Sequence, residues 1–103
     1  MTSKPMLVAG VMSGTSADGI DVAVVRIARG NRISIKLLAH EAFPYSAVLR
    51  WSVLAAMNAK KTSTAELARL NWRLGMAYSE AVKATADGHK LKIELVGCHG
   101  QTL

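Results

Sequence analysis

The chain has 103 residues and half of them are hydrophobic, which excludes a disordered polypeptide and provides for one domain or part of one. Its net charge is +6, but the basic residues are scattered and form no run, which favours a solvated surface over one for nucleic acid or an anionic membrane. The single cysteine, Cys98, excludes an internal disulfide, and its apolar surroundings predict a buried thiol. No signal peptide or membrane-length apolar run is recognised, so a reducing cytoplasm fits the sequence.

Three strands are predicted at the start of the chain. Residues 6–12 are apolar on both faces, which predicts a central strand that is buried on both sides of a sheet. Residues 20–28 are rich in β-branched side chains, and residues 32–40 alternate after a turn at 29–31. These short connections predict an antiparallel meander.

A first helix is predicted over residues 46–58. Its apolar residues predict a buried face that is made of Val48, Trp51, Leu54 and Ala55. Trp51 here and Trp72 in the next helix are both expected in the hydrophobic core.

A second, longer helix is predicted over residues 64–87, where leucines and other apolar residues recur at helical spacing. Ser63 and Glu66 have the spacing of a capping box at its start. Gly75 is unfavourable in mid-helix, so close packing on the sheet is expected there. Gly88 is expected to end the helix in the left-handed conformation.

A fourth strand, residues 93–98, follows the second helix. A strand that returns after a helical crossover is often parallel to the strand it joins. The order β-β-β-α-α-β therefore predicts an α/β fold, the front half of a ribonuclease H-like domain. Leu103 follows a polar motif without a covering element, so we expect residues 1–103 to be the first part of a longer protein.

A loop of small polar residues, Ser13–Asp21, joins the first two strands. Its two glycines let backbone N–H groups approach a ligand closely, and Thr15 and Ser16 add hydroxyl donors, an arrangement suited to phosphate. The loop matches neither a Walker motif nor a dinucleotide-binding motif. A glycine-rich hairpin with Asp18 as its turn residue is the structural alternative.

Asp18 and Asp21 are paired carboxylates, spaced so that they could share a metal ion. A nuclease of ribonuclease H type would also place an acid on the first strand, and residues 6–12 contain none. The structural alternative is that Asp18 caps the turn and Asp21 opens the second strand, and no metal ligand is assigned.

The sequence HGQT follows the fourth strand, at the end where α/β sheets bind ligands. His99 could serve there as an acid, a base or a hydrogen-bond donor, although a loop histidine is more often structural. His40 and His89 have no partners in sequence and are interpreted as structural.

Three segments together resemble the 1,6-anhydro-N-acetylmuramic acid kinase family: GVMSGTSADGIDVAVV at 10–25, LNWRLGMAYSEAV at 70–82 and VGCHGQTL at 96–103. The resemblance spans nearly the whole chain, and M-S-G-T-S-x-D-G-[IV]-D and H-G-Q-T are two independent matches. It implies two ribonuclease H-like domains of the sugar kinase, chaperone ATPase and actin superfamily, with ATP bound between them.

The resemblance also implies residue roles. With Mg²⁺ present, the phosphates of ATP would be held by Gly14, Thr15, Ser16, Ala17, Asp18, Gly19, Ile20 and Asp21. The sugar would be contacted by His99, Gln101 and Thr102. In the family reaction, water opens the 1,6-anhydro bridge and O6 takes the γ-phosphoryl group of ATP. The product is N-acetylmuramic acid 6-phosphate, in bacterial cell-wall recycling.

The sequence departs from the family at two points. Ala17 stands where the family usually has leucine. The family's general base is an aspartate in a later D-T-G-P-G-N-like motif, so the catalytic base is expected beyond Leu103 and this fragment alone is expected to be inactive. The implied partners are ATP and the sugar, without nucleic acid or membrane, and a homodimer when full length. A non-catalytic ribonuclease H-like module that binds an anion or nucleic acid is the alternative function.

Overall fold

The computed structural model describes residues 4–14 and 17–101. Its elements follow the predicted order of three strands, two helices and a returning strand. They are β1 (Met6–Ser13), β2 (Gly19–Arg29), β3 (Ile33–Pro44), α1 (Ala47–Met57), α2 (Thr64–His89) and β4 (Leu95–Gln101). Strand β3 is longer than predicted and ends at Pro44, because its last residues pair with the start of β2.

The strands form one mixed sheet in the order β3-β2-β1-β4. Strand β1 is antiparallel to β2, and β2 is antiparallel to β3, so the predicted meander is confirmed. Strand β4 returns after the two helices and lies parallel to β1, as the helical crossover predicts. The carboxyl ends of β1 and β4 therefore meet at the same edge of the sheet.

The hydrophobic core lies between one face of the sheet and the two helices. Alternate residues of β1 and β2 point into it, which is the period of two that a half-covered strand shows. The buried apolar residues are Ala9, Val11, Ala17, Ile20, Val22, Val24, Ala39, Tyr45, Leu49, Val53, Leu70, Leu74 and Ala81. Helix packing therefore supports the strand end from which the polar loop begins.

The opposite face of the sheet is exposed, which corrects two predictions. Met6 and Met12 of β1 are 42% and 54% exposed, so the first strand is buried on one side only. Cys98 is exposed as well, because β4 is an edge strand. Apolar composition predicted a strand with cover on both sides, whereas the described helices pack on one face only.

The buried face of α1 also differs from the prediction. Leu49 and Val53 are buried, whereas Val48 and Trp51 are exposed. Most residues of this helix are apolar, so the hydrophobic pattern did not define one face. The face of α1 that is buried depends on where the chain enters the helix after β3. That position is fixed by tertiary structure and not by the local sequence.

Helix α2 begins as predicted. The Ser63 hydroxyl accepts a hydrogen bond from the backbone N–H of Glu66 at 3.1 Å, and the Glu66 carboxylate accepts one from the Thr62 hydroxyl. Leu70 and Leu74 are buried one turn apart on the side that faces the sheet. Trp72 is 71% exposed, so its predicted place in the core is wrong.

The end of α2 lies two residues later than predicted. Lys90, rather than Gly88, takes the left-handed conformation, with φ of 54°. The N–H of Leu91 donates to the carbonyl of Ala86 at 2.8 Å, which closes the helix end. Leu91 packs against the core, and this contact outweighs the preference for glycine at the position. Within residues 4–14 and 17–101, no helix has the length and hydropathy needed to cross a membrane.

Two glycines show opposite environments. A Cβ on Gly75 would meet nothing within 4 Å outside its own helix, so the close packing expected there is not observed. A Cβ on Gly19 would lie 2.3 Å from the carbonyl oxygen of Phe43 on the neighbouring strand. Gly19 therefore allows β2 to begin in contact with the end of β3.

These environments predict opposite effects of the same substitution. Gly19→Ala should destabilise the chain by about 2 kcal/mol or more, because the clash is with backbone atoms. Gly75→Ala should stabilise it by about 0.5–1 kcal/mol, because alanine is the better helix former. Urea unfolding of both variants, followed by circular dichroism, measures the difference. Equal effects of the two substitutions would show that the pairing at Gly19 is wrong.

Candidate functional site

The candidate site lies where β1 and β4 end side by side. Ser13, the last residue of β1, is 1% exposed, and its hydroxyl lies 3.0 Å from the carbonyl oxygen of Gly19. The same hydroxyl contacts the side chains of Tyr45 and Gln101. The loop that follows Ser13 is therefore closed across its base by a buried side chain.

A bulge in β4 brings Gln101 to this position. Val11 pairs with Cys98 and Ser13 pairs with Gln101, so β4 has one residue more than β1 over this interval. Gly100 accommodates the extra residue with φ of 84°, a conformation that side-chain-bearing residues rarely adopt. A bulge at a strand end re-aims the following side chain, and here it places Gln101 opposite Ser13.

The Gln101 amide connects the two motifs that the sequence singled out. Its Oε1 accepts hydrogen bonds from the hydroxyls of Ser13 and Tyr45, the latter at 3.0 Å. Its Nε2 donates to the carbonyl oxygen of Gly14 at 2.8 Å. The strand-end motif thus holds the polar loop directly through one side chain.

Tyr45 is a component of this site that the sequence did not reveal. It is 7% exposed, its N–H donates to the carbonyl oxygen of Asp18 at 3.0 Å, and its hydroxyl reaches Ser13 and Gln101. These partners are remote in sequence, so no local spacing pointed to them. The only available signal was a tyrosine directly after β3, since a buried tyrosine usually needs a partner for its hydroxyl.

Gly14 and Ala17 lie close together in the loop. The N–H of Ala17 donates to the carbonyl oxygen of Gly14 at 3.2 Å, and Ala17 is buried with φ of 55°. Ala17 and the buried Ile20 thus anchor the loop to the core through their side chains. Thr15 and Ser16, predicted to bind phosphate, lie outside the described residues.

The outer part of the loop faces an open cavity of about 430 Å³. Its lining is Met12, Gly14, Asp18, Gly19, Ile20, Asp21, Ala42, Phe43 and Pro44. A Cβ on Gly14 would meet nothing within 4 Å, so backbone is accessible from this side. The cavity therefore joins accessible loop backbone to two exposed carboxylates.

Both carboxylates have basic neighbours. Asp18 Oδ1 lies 3.3 Å from Arg50 Nη2, and Asp21 Oδ1 lies 3.3 Å from His40 Nε2. His40, interpreted from sequence as structural, therefore lies beside a predicted site residue. His89 pairs instead with Glu41 at 2.9 Å. Among residues 4–14 and 17–101, no group of three or more acidic, histidine or cysteine side chains could hold a metal ion.

His99 is exposed on β4. Together with Gly100 and Gln101 it borders a cavity of about 250 Å³ against α2, whose wall includes Leu67 and Asn71. Thr102, the remaining predicted sugar contact, lies outside the described residues. The structure thus brings Gln101 to the loop, whereas His99 faces a neighbouring cavity.

Tyr78 of α2 lies under the site with its hydroxyl buried. This hydroxyl has no hydrogen-bond partner among the described residues. Desolvation by burial raises the pKa of the phenol above its ordinary value, and the Tyr45 hydroxyl beside it adds to the rise. Tyr45 and Tyr78 are therefore adjacent phenols, and within the described part of the chain only the Tyr45 hydroxyl has assigned hydrogen-bond partners.

The fold and site define the class of protein as a small α/β unit with a glycine-containing loop that borders a cavity at the carboxyl end of a central strand. The chain belongs to the anhydro-N-acetylmuramic acid kinase family, because the model of that family matches residues 6–103. The resemblance seen in the motifs is thereby confirmed.

Individual relatives agree with this assignment. An anhydro-N-acetylmuramic acid kinase of Bacillus cereus is 36% identical over 95% of this chain, and one of Trichormus variabilis is 39% identical over 99% of it. One of Acaryochloris marina is 38% identical over 95% of the chain. The matched region is only 26–27% of each relative, so the chain spans about a quarter of their length.

The two phenols predict different effects of the same substitution. Tyr45→Phe should destabilise the chain by about 1–3 kcal/mol, because the buried Ser13 and Gln101 groups lose a partner. Tyr78→Phe should change stability by less than about 1 kcal/mol or raise it, because it removes a buried hydroxyl without a partner. Urea unfolding measures both, and equal losses would contradict the hydrogen bonds assigned to Tyr45.

The same pair predicts a dependence on alkaline pH. Because the folded-state pKa of Tyr78 is raised, its ionisation in the unfolded state weakens folding as pH rises above about 10, whereas below that pH it has no effect. Tyr78→Phe should therefore flatten the alkaline fall in the free energy of unfolding. If the free energy of unfolding falls equally steeply at alkaline pH in Tyr78→Phe, groups other than Tyr78 cause the fall.

Proposed function

We propose that this chain is part of an ATP-dependent kinase that opens 1,6-anhydro-N-acetylmuramic acid with water and phosphorylates O6, giving N-acetylmuramic acid 6-phosphate. Membership of the family supports this proposal, together with a glycine loop held open at the end of β1. The mixed sheet with helices on one face is consistent with the ribonuclease H-like domain that we propose for it. In this proposal the chain is the N-terminal portion of the first of two domains, in a cytoplasmic protein that can form homodimers.

The single observation that supports a nucleotide site best is the orientation of the loop. The carbonyl oxygen of Gly14 is turned toward Gln101 and Ala17, which satisfies it within the protein. A carbonyl that pointed into the cavity would repel phosphate oxygens, and these hydrogen bonds keep the Gly14 carbonyl from doing so. We assign the phosphates of ATP to the cavity side of residues 14–21.

The charges around the cavity favour a nucleotide with a bound cation. Asp18 and Asp21 are exposed at its wall and would repel a bare triphosphate. Mg²⁺ is usually held by one or two carboxylates, waters and substrate phosphates, which suits this pair without a dedicated protein cage. When bound, ATP supplies the γ-phosphoryl group and Mg²⁺ offsets the charge that develops during transfer. Arg50 and His40 orient the two carboxylates.

The sugar is assigned to the adjacent end of β4. His99 has an exposed imidazole there, and Gln101 and Thr102 continue the motif. These residues bind and orient the sugar so that O6 faces the phosphate loop. The general base that activates water is assigned outside residues 1–103, on an aspartate of the later motif that the family resemblance implies.

The activity test uses the gene product read to its natural stop codon. Incubation with ATP, Mg²⁺ and 1,6-anhydro-N-acetylmuramic acid should give ADP and N-acetylmuramic acid 6-phosphate in equal amounts, as measured by mass spectrometry. ADP release without the sugar should be far slower. Phosphorylation of other amino sugars with the anhydro sugar left intact would reject the proposed reaction.

Substitution of Asp21 tests whether the carboxylates at the cavity help to hold Mg²⁺. Asp21→Asn should weaken binding of an ATP analogue in the presence of Mg²⁺ by about tenfold, a loss of about 1.4 kcal/mol, and should weaken it little without Mg²⁺. Glu41→Gln is the matched control, because Glu41 is a carboxylate on the next strand that pairs with His89 outside the cavity. Titration calorimetry of both variants, with and without Mg²⁺, makes the comparison. Equal losses in the two variants would exclude a role of Asp21 in holding the cation.

A further inference from the structure

Ser13, Tyr45 and Gln101 form a buried network between the two proposed ligand sites. Ser13 reaches the far end of the loop at Gly19, and Gln101 reaches its near end at Gly14. Tyr45 bonds to both side chains and, through its N–H, to Asp18. The network therefore touches the phosphate loop at three points and the strand-end motif at one.

The network has fewer protons than acceptors. The hydroxyls of Ser13 and Tyr45 supply one proton each. Their acceptors are the Gly19 carbonyl, Gln101 Oε1 and the oxygens of Ser13 and Tyr45 themselves. Several arrangements of the two protons fit this geometry, and they differ in which group the Ser13 proton serves.

In one arrangement, the Ser13 hydroxyl donates to the Gly19 carbonyl and the Tyr45 hydroxyl donates to Gln101. In another, the Ser13 hydroxyl donates to Gln101 and no longer to the Gly19 carbonyl, while the Tyr45 hydroxyl donates to Ser13. A ligand that favours one position of the loop therefore changes which hydrogen bonds Gln101 accepts. An element with discrete alternative arrangements is a physical basis for coupling between sites.

We propose that Tyr45 is a positioning residue that couples the phosphate loop to the strand-end motif, so that nucleotide and sugar each change the affinity for the other. This inference rests on the proposed function, because it assigns one ligand to each motif. Tyr45 acts through Ser13 and Gln101, and its hydroxyl is the group that switches between them. Coupling of this kind is reciprocal, since the two binding free energies are linked.

The experiment measures coupling, using the gene product read to its natural stop codon. The dissociation constant of a non-hydrolysable ATP analogue with Mg²⁺ is determined by calorimetry, with and without saturating 1,6-anhydro-N-acetylmuramic acid. In the unmodified protein the sugar should change this constant by about fivefold or more. In Tyr45→Phe, the ratio of the dissociation constants measured without and with the sugar should approach one.

Thr85→Val is the matched control, because it removes a buried hydroxyl that lies outside the network and donates within α2 to the carbonyl of Ala81 at 2.9 Å. Its ratio should equal that of the unmodified protein. If Tyr45→Phe does not fold, Ser13→Ala removes the other proton of the network and should also bring the ratio toward one.

The outcomes separate this inference from the proposed function. If either ligand fails to bind the unmodified protein, the proposed function fails. If both bind and the ratio is already one, or if Tyr45→Phe weakens both ligands with the ratio unchanged, the coupling role is overturned and Tyr45 is only structural. A ratio lost in Tyr45→Phe and kept in Thr85→Val supports the role.

Discussion

The candidate site depends on the parallel pairing of β1 with β4, which brings two strand ends together that are 88 residues apart in sequence. The buried Ser13 hydroxyl joins these ends. It contacts Gly19 in the loop, Tyr45 just before α1, and Gln101 in the strand-end motif. A hydroxyl buried this fully is costly without partners, so the surrounding groups must stay in place. The described ends of the loop, at Gly14 and Gly19, are consequently held in place by hydrogen bonds.

Backbone conformation provides the second constraint. Gly19 permits the close approach of β2 to the end of β3, and Gly100 permits the bulge that turns Gln101 toward Ser13. Ala17 occupies a left-handed position in the loop although it has a side chain. Strain of this kind persists where the surrounding packing determines the conformation, and Ala17 is indeed buried in the core.

The distribution of cover over the sheet explains several differences from the sequence-based expectations. Apolar residues on both faces of β1 predicted burial on both sides, but the described helices cover one face. Met6 and Met12 are exposed for that reason, and Cys98 is exposed because β4 is an edge strand. Trp51 and Trp72 lie on helix surfaces that do not face the core. Hydrophobicity showed that these side chains suit burial, whereas it did not show what would cover them.

The sequence by itself determined the order and type of all six elements, the start of α2, and the family, because strand patterns, the Ser63 cap and the two motifs are local signals. It also indicated a polar loop between β1 and β2 as the place for a ligand. Only the tertiary structure decided that Gln101 contacts this loop, that Tyr45 belongs to the site and that His40 lies beside Asp21. These contacts join residues that are far apart in the chain, or depend on strand register and a bulge. The hydrophobic periodicity of the sequence predicts helices and strands, but it does not predict contacts of this kind.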